Sequence, residues 1–385
     1  MARLGDLFLH IRNGVNIKQG LDNTGYPITR IETISNRVVN RNKMGYAGIT
    51  DVSKYSDYIL QDGDILMSHI NSEIHLGKTA LYEKETDEII IHGMNLLSLR
   101  PNKDLIDSKY AFYYLSSQAF LRQIPNITKK SVNQASFTVS ALKELDFPVT
   151  TLEKQSKIAN DFDKINNLIE LRTQQLSKLD ELVKSRFIEL FEDGESPIKT
   201  VEELCSAIVD CPHTTPKYEG ELKNPAIRTA EIKKGYIEWE TMRYVSDEEY
   251  EERTARLKPE AGDIVYGREG TFGNAAILPK GHNFCLGQRV MLLRPDYSKC
   301  TSEYLLYAVI SDEVYRQALE KNNASTVAHV NVKDVKQFRI PLPLFDKQNQ
   351  FATFVEQTDK SKLAVHESLE KLETLKKALM QQYFG

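Results

Sequence analysis

The chain has 385 residues, of which 41% are hydrophobic and 27% charged, a length that suggests about two or three domains and a balance that allows real cores and implies no disorder. Its formal charge of −4 neither nominates nor excludes nucleic acid, because a mildly acidic whole can carry local basic surface. No apolar run approaches the roughly 18 residues of a membrane span, Asp6 stands where a secretory apolar stretch would begin, and the expectation is a soluble, cytoplasmic protein with no membrane contact.

Residues 1–150 read as an α/β globule with short strands at 64–67, 88–91 and 96–99 and a helix near 108–117. It closes on Phe147-Pro148-Val149, and Lys154-Gln155 then opens a long helical segment, 151–193. There Ile158, Phe162, Ile165, Ile169, Arg172, Leu176, Leu179, Val183, Arg186 and Leu190 alternate spacings of four and three, the seam of a coiled coil. A second globule, 194–342, carries strands at 263–266 and 289–293 and a helix near 302–319, closes on Ile340-Pro341-Leu342, and leads through Lys347-Gln348 into a second helical segment, 343–385. Its seam, Phe351, Val355, Thr358, Lys362, Val365, Leu369, Leu372, Lys376, Leu379 and Tyr383, keeps the same spacing.

The second half therefore repeats the first. From Ala135 paired with Ala328 to Phe191 paired with Phe384 the offset is constant, and upstream Gly63-Asp64-Ile65-Leu66 matches Gly262-Asp263-Ile264-Val265 while Pro27 to Arg30 matches Pro225 to Arg228. Two units make a duplication rather than a solenoid. A helix of about 40 residues is about 60 Å long and its apolar seam wants a partner. Pairing within the chain requires the second helix to run back along the first, which predicts an antiparallel coiled coil with an approximate two-fold internal repeat. The alternative is that each helix packs only on its own globule.

Enzyme signatures are missing. Gly77-Lys78-Thr79 lacks the upstream glycine of a phosphate loop, with Ser72 in that place, and the glycines of Gly267 to Gly273 do not have dinucleotide-binding spacing. The Asn/Asp-Pro-Pro-Tyr motif of adenine methyltransferases does not occur, nor does a carboxylate cluster for metal-dependent cleavage. Cys205, Cys211, Cys285 and Cys300 lack Cys-x-x-Cys spacing and are expected to be free thiols; no metal is expected.

Two dissimilar globules, each closed by a proline strand end, a Lys-Gln entry into a helix of matched length, and Gly-Asp-Ile in each globule resemble the specificity subunit of type I restriction-modification systems. Asp210-Cys211-Pro212-His213-Thr214-Thr215-Pro216, followed by Pro225 and Arg228, looks like the start of that family's target recognition domain, whereas the first copy has Asn13-Gly14-Val15-Asn16-Ile17 there. The resemblance implies a non-catalytic reader of double-stranded DNA. Each globule would read one half of a split, asymmetric target. The helices would set the spacing and dock two methyltransferase subunits, which would bring S-adenosylmethionine, and a restriction subunit would join them; this chain would hold no cofactor. The rivals are a coiled-coil scaffold or adaptor without DNA binding and an enzyme with an unrecognised site.

The candidate DNA contacts follow the Gly-Asp strand: Ser68, His69, Asn71 and Lys78 in the first globule, Arg268, Glu269 and Thr271 in the second. Arginine pairs with guanine, asparagine with adenine, and glutamate accepts from cytosine, against the alternative of a solvated turn. Lys129, Lys130, Asn133 and Gln134, matched to Asn322, Asn323 and Thr326, lie in a polar loop before the closing strand and suit phosphate or base contact. Arg30 and Arg228 are equivalent, which either a structural ion pair or a DNA contact would explain. His213, Thr214 and Thr215 enter through the resemblance.

Overall fold

The computed structural model describes residues 1–20, 24–131, 134–191, 196–220, 223–270, 273–321 and 329–385. The chain divides into two compact units, Met1–Thr173 with Glu367–Gly385, and Gln174–His366.

The first unit is built on a four-stranded antiparallel sheet of β1 (Phe8–Asn13), β2 (Ile65–Ser68), β3 (Thr79–Leu81) and β4 (Leu96–Pro101), in the order β1-β4-β2-β3. Strand β2 is buried along its whole length. Ile65 and Met67 face a core shared with α1 (Ser108–Leu115), while Leu66 faces a second core with Ile34, Met44 and Tyr82. A sheet covered on both faces explains why the strand reads as an unbroken apolar run.

The second unit repeats this arrangement with β5 (Cys205–Asp210), β6 (Ile264–Gly267), β7 (Ala275–Ile277) and β8 (Val290–Pro295), ordered β5-β8-β6-β7. The register is the same: Ile65 lies opposite Leu99, and Ile264 opposite Leu293. Ile264 and Tyr266 face the core with α3 (Ser302–Val309); Val265 faces the other with Ile227, Met242 and Phe284.

The two sequence signatures are structural clamps. Gly63 and Gly262 adopt φ of +89° and +94°, a left-handed conformation that favours glycine. The buried aspartate that follows each is gripped by the arginine of a Leu-Arg-Pro strand end. Arg100 donates from Nε and Nη2 to Asp64 at 2.8 and 2.7 Å, and Arg294 donates likewise to Asp263 at 2.8 Å twice. The glutamine of Lys-Gln is wholly buried in both copies. Gln155 accepts from the Asp107 amide at 2.9 Å and donates to the Leu105 and Thr150 carbonyls; Gln348 accepts from the Thr301 amide at 2.9 Å and donates to the Lys299 and Pro343 carbonyls. Asp107 and Thr301 are the N-caps of α1 and α3, so each glutamine ties a long helix to the cap of the short helix beside it.

The long helices are α2 (Leu152–Phe191) and α4 (Phe345–Phe384), both free of proline and glycine. In the first unit Phe384 packs at 5.4 Å from Tyr110 and stacks on Phe162. In the second unit the repeat-equivalent Phe191 packs at 5.0 Å from Tyr304 and 5.3 Å from Phe351. There Phe187 meets Phe351 while Asp180 binds Lys362 at 2.6 Å, so the two helices run antiparallel. Lys362, a polar seam residue, is thereby used as an interhelical ion pair.

Two expectations need correction. The segment 88–91 is no strand: its backbone bonds diverge to Pro27, Thr29 and Leu60, and only Ile91 forms bridges, to Ile28 and Ile59. The Glu88 carboxylate is instead held by Arg41 and the Tyr82 hydroxyl. The helix expected near 108–117 is found at Ser108–Leu115, whereas the one expected near 302–319 is broken by Ser311, which accepts from Val314 N at 3.2 Å at the start of a new helix.

Candidate nucleic-acid interface

In the first unit the chain leaving β2 forms a second small sheet. Ile70–Asn71 pairs antiparallel with Ala135–Ser136, which pairs with Lys129–Lys130. Two segments far apart in sequence therefore meet, bringing Asn71, Lys129, Lys130 and Gln134 to one place. Lys129 and Lys130 are exposed, and Lys130 binds Glu73 at 2.8 Å. Such a solvent-exposed pair contributes little and can exchange its carboxylate for a phosphate. Lys78 lies against His75 Nδ1 at 2.6 Å, and the Asn71 side chain accepts from the Ser72 amide at 2.7 Å.

Ser68 and His69 differ from these, for both are buried. His69 packs edge-on to Phe137, its carbonyl accepts from Phe137 N, and burial lowers its pKa to about 4, so the ring is neutral at pH 7. Ser68 Oγ and His69 Nδ1 find no hydrogen-bond partner among the described residues.

The second unit builds the same corner. Arg268 and Glu269 leave β6, the Arg268 carbonyl accepts from Val330 N at 2.9 Å, and Glu269 bridges to His329. By strand register Arg268 occupies the place of His69, and Asp210, at the end of β5, that of Asn13. Arg268 is no exposed fork: it is buried, with Nη2 on Asp210 Oδ1 at 2.8 Å. Asp210 also accepts from the Cys211 amide at 2.9 Å and lies 3.3 Å from the exposed His213 ring. Arg253, buried beside Glu249, holds Thr214 through its hydroxyl and carbonyl, and Gln288 donates to the Thr215 hydroxyl at 3.0 Å. Glu269 binds Arg289 at 2.9 Å.

The equivalent Arg30 and Arg228 diverge. Arg228 is an ion-pairing residue, bonded through Nε and Nη2 to the fully buried Glu231 and to the Thr241 carbonyl. Arg30 has Thr33 where Glu231 stands, and is half-exposed with Glu32 at 3.7 Å. Asn133, Thr271, Asn322, Asn323 and Thr326 lie outside the described residues. Sequence reading did not single out Asp210, Gln288 or Arg289. The sequence places Arg289 in the strand expected at 289–293, whereas its backbone is left-handed, at φ +65°, and the strand begins at Val290.

One corner framework thus recurs in both units with different side chains on it. A model of the type I restriction modification DNA specificity domain matches residues 1–181 and 219–377. The chain belongs to the type I restriction-modification DNA specificity family. This specificity chain is 30% identical over 397 residues to the putative type I restriction enzyme MjaX specificity subunit of Methanocaldococcus jannaschii, across 99% of its own length and 91% of the relative's. It is 25% identical over 190 residues to the type I restriction enzyme MjaVIII specificity subunit of the same organism, across 49% of its own length and 41% of that relative. In fold it resembles the crystal structure of the type I S subunit from M. genitalium, with a TM-score of 0.57 at 15% identity, covering 100% of this chain and 95% of that one. A chain from a study of complex assembly and conformational transition in a type I system gives 0.59 at 16% identity, covering 100% and 96%. The specificity subunit is the non-catalytic, DNA-recognising component of a type I system, and this chain is of that kind.

Proposed function

We propose that the two corners are the DNA-reading surfaces, each taking one half of a bipartite asymmetric target in double-stranded DNA. The observation that carries this is the shared register of the two sheets: equivalent backbone positions carry Asn13, His69 and Asn95 in one unit and Asp210, Arg268 and Arg289 in the other. A conserved scaffold with changed chemistry at its end suits two half-sites of different sequence, since base edges are told apart by the donors and acceptors presented to them. In the first unit the exposed Lys129 and Lys130 and the half-buried Asn71 suit backbone and base contact; in the second, His213, Thr215 and Glu269 do. Ser68, His69, Arg228 and Arg268 support those surfaces from behind, and Arg253 holds the exposed Thr214 in place.

The paired helices set the spacing of the half-sites and dock two methyltransferase subunits, with a restriction subunit joining the assembly. S-adenosylmethionine belongs to the methyltransferase subunits, and the complex works in the cytoplasm. The test is an exchange of residues 1–150 for the first globule of another family member, followed by sequencing of methylated sites in a host carrying the chimaera and its methyltransferase. One half of the methylated sequence changes while the other half and the spacer stay. A change in both halves together contradicts the assignment of one globule to one half-site.

A further inference from the structure

We propose that Arg289 and Glu269 form a preassembled pair in the second unit that reads a guanine–cytosine base pair. This rests on the reading above and names the bases to which that corner is matched. Arg289 is the residue before β8, and its side chain is 61% exposed. Its backbone is left-handed at φ +65°, a conformation that residues with side chains rarely adopt and that persists where the surroundings impose it. Those surroundings are visible: the Arg289 carbonyl accepts from Arg268 N at 3.0 Å, and the preceding Gln288 is bonded to Thr215. The turn is pinned from both sides, so the backbone sets the direction in which the side chain leaves it.

The guanidinium is aimed as well. Glu269 binds it through Nε at 2.9 Å, and the carboxylate is the less exposed partner, at 27%. A guanidinium held at Nε can still present its two Nη groups, the edge that grips guanine O6 and N7, and a neighbouring carboxylate can accept from the cytosine N4 amine of the same pair. Behind this pair Asp210 and Arg268 make a buried ion pair that fixes the end of β6 from which Glu269 projects. The first unit has Ile70 and Asn95 at these two places, both exposed and neither charged, so this pair has no counterpart there.

The experiment selects sequences from a randomised duplex DNA pool on the complex of this chain with its methyltransferase subunits, comparing wild type, Arg289→Gly, Arg289→Lys and Glu269→Gln. Glycine is comfortable at φ +65°, so Arg289→Gly deletes the side chain without straining the turn. The wild type selects a bipartite sequence; Arg289→Gly loses preference at one guanine–cytosine position of one half by about 5- to 150-fold, as expected for a bidentate contact. Lysine, a point charge without the fork, does not restore that position, and Glu269→Gln weakens it. An unchanged sequence with Arg289→Gly, an even loss over all sequences, or full rescue by lysine overturns the base-reading pair. Failure of the wild type to select any split sequence overturns instead the reading of the two corners as half-site readers.

Discussion

Arg268 and His69 occupy one structural position and solve one problem, the burial of a polar side chain at the end of a core strand, in opposite ways. His69 stays neutral because burial penalises its charged form; Arg268 is matched instead by the Asp210 carboxylate. Removing Arg268 leaves the half-buried Asp210 with only the Cys211 amide and the His213 ring beside it, which lowers stability. Arg268→Ala is therefore expected to lower the urea midpoint of unfolding and to weaken binding by a similar factor on every single-base variant of the target. The sequence offers Arg268 as a base contact because it follows a strand in a glycine-rich loop. Its partner lies far upstream, and an ion pair between distant residues leaves no local pattern to read. A loss confined to one base position would return Arg268 to the DNA surface.

At the scale of elements, the duplication is legible because helices and strand ends keep their spacing. Ile158 to Leu190 and Phe351 to Tyr383 carry the seam, and the structure gives α2 and α4 as unbroken helices. Gly-Asp-Ile and Lys-Gln are legible as signatures but not in their meaning, since their partners, Leu-Arg-Pro and the cap of the short helix, are met only after folding. The pairing of Ile70–Asn71 with Ala135–Ser136 is too short to announce itself by alternation. The clamps yield a prediction. Gln155→Leu leaves the Asp107 amide and two carbonyls unpaired in a buried setting, at about 1–3 kcal/mol for a buried group left unsatisfied. A fall in the urea midpoint is expected, with Gln348→Leu producing the same fall through the second unit. Mutants as stable as wild type would show that water or a shifted side chain replaces the clamp.

The two units of the whole molecule are expected to respond differently to acid. His10, His69 and His92 all lie in the first, with pKa values lowered by burial to about 4, about 4 and about 3 from an ordinary 6.5. The unfolded chain takes up these protons below pH 6.5 while the folded unit does not, so their contribution is whole above 6.5 and is lost as the pH falls toward 4. Hydrogen exchange at pH 7 and pH 4.5 is expected to show protection falling more in residues 1–173 than in 174–366; an equal fall in both would contradict this.

The first unit is also discontinuous, and this has a consequence for the order in which it is made. Its core holds Phe384 against Tyr110, Tyr114 and Phe162. A ribosome releases residues 1–173 long before it reaches 367–385, so the unit made first is completed last, and the intervening unit, whose residues are contiguous, can close before it. Until Phe384 is made, the aromatic cluster of Tyr110, Tyr114 and Phe162 lacks one of its rings. A message cut short anywhere before Phe384 leaves Tyr110, Tyr114 and Phe162 without that ring, so the core of the first unit and the end of the second helix are completed together.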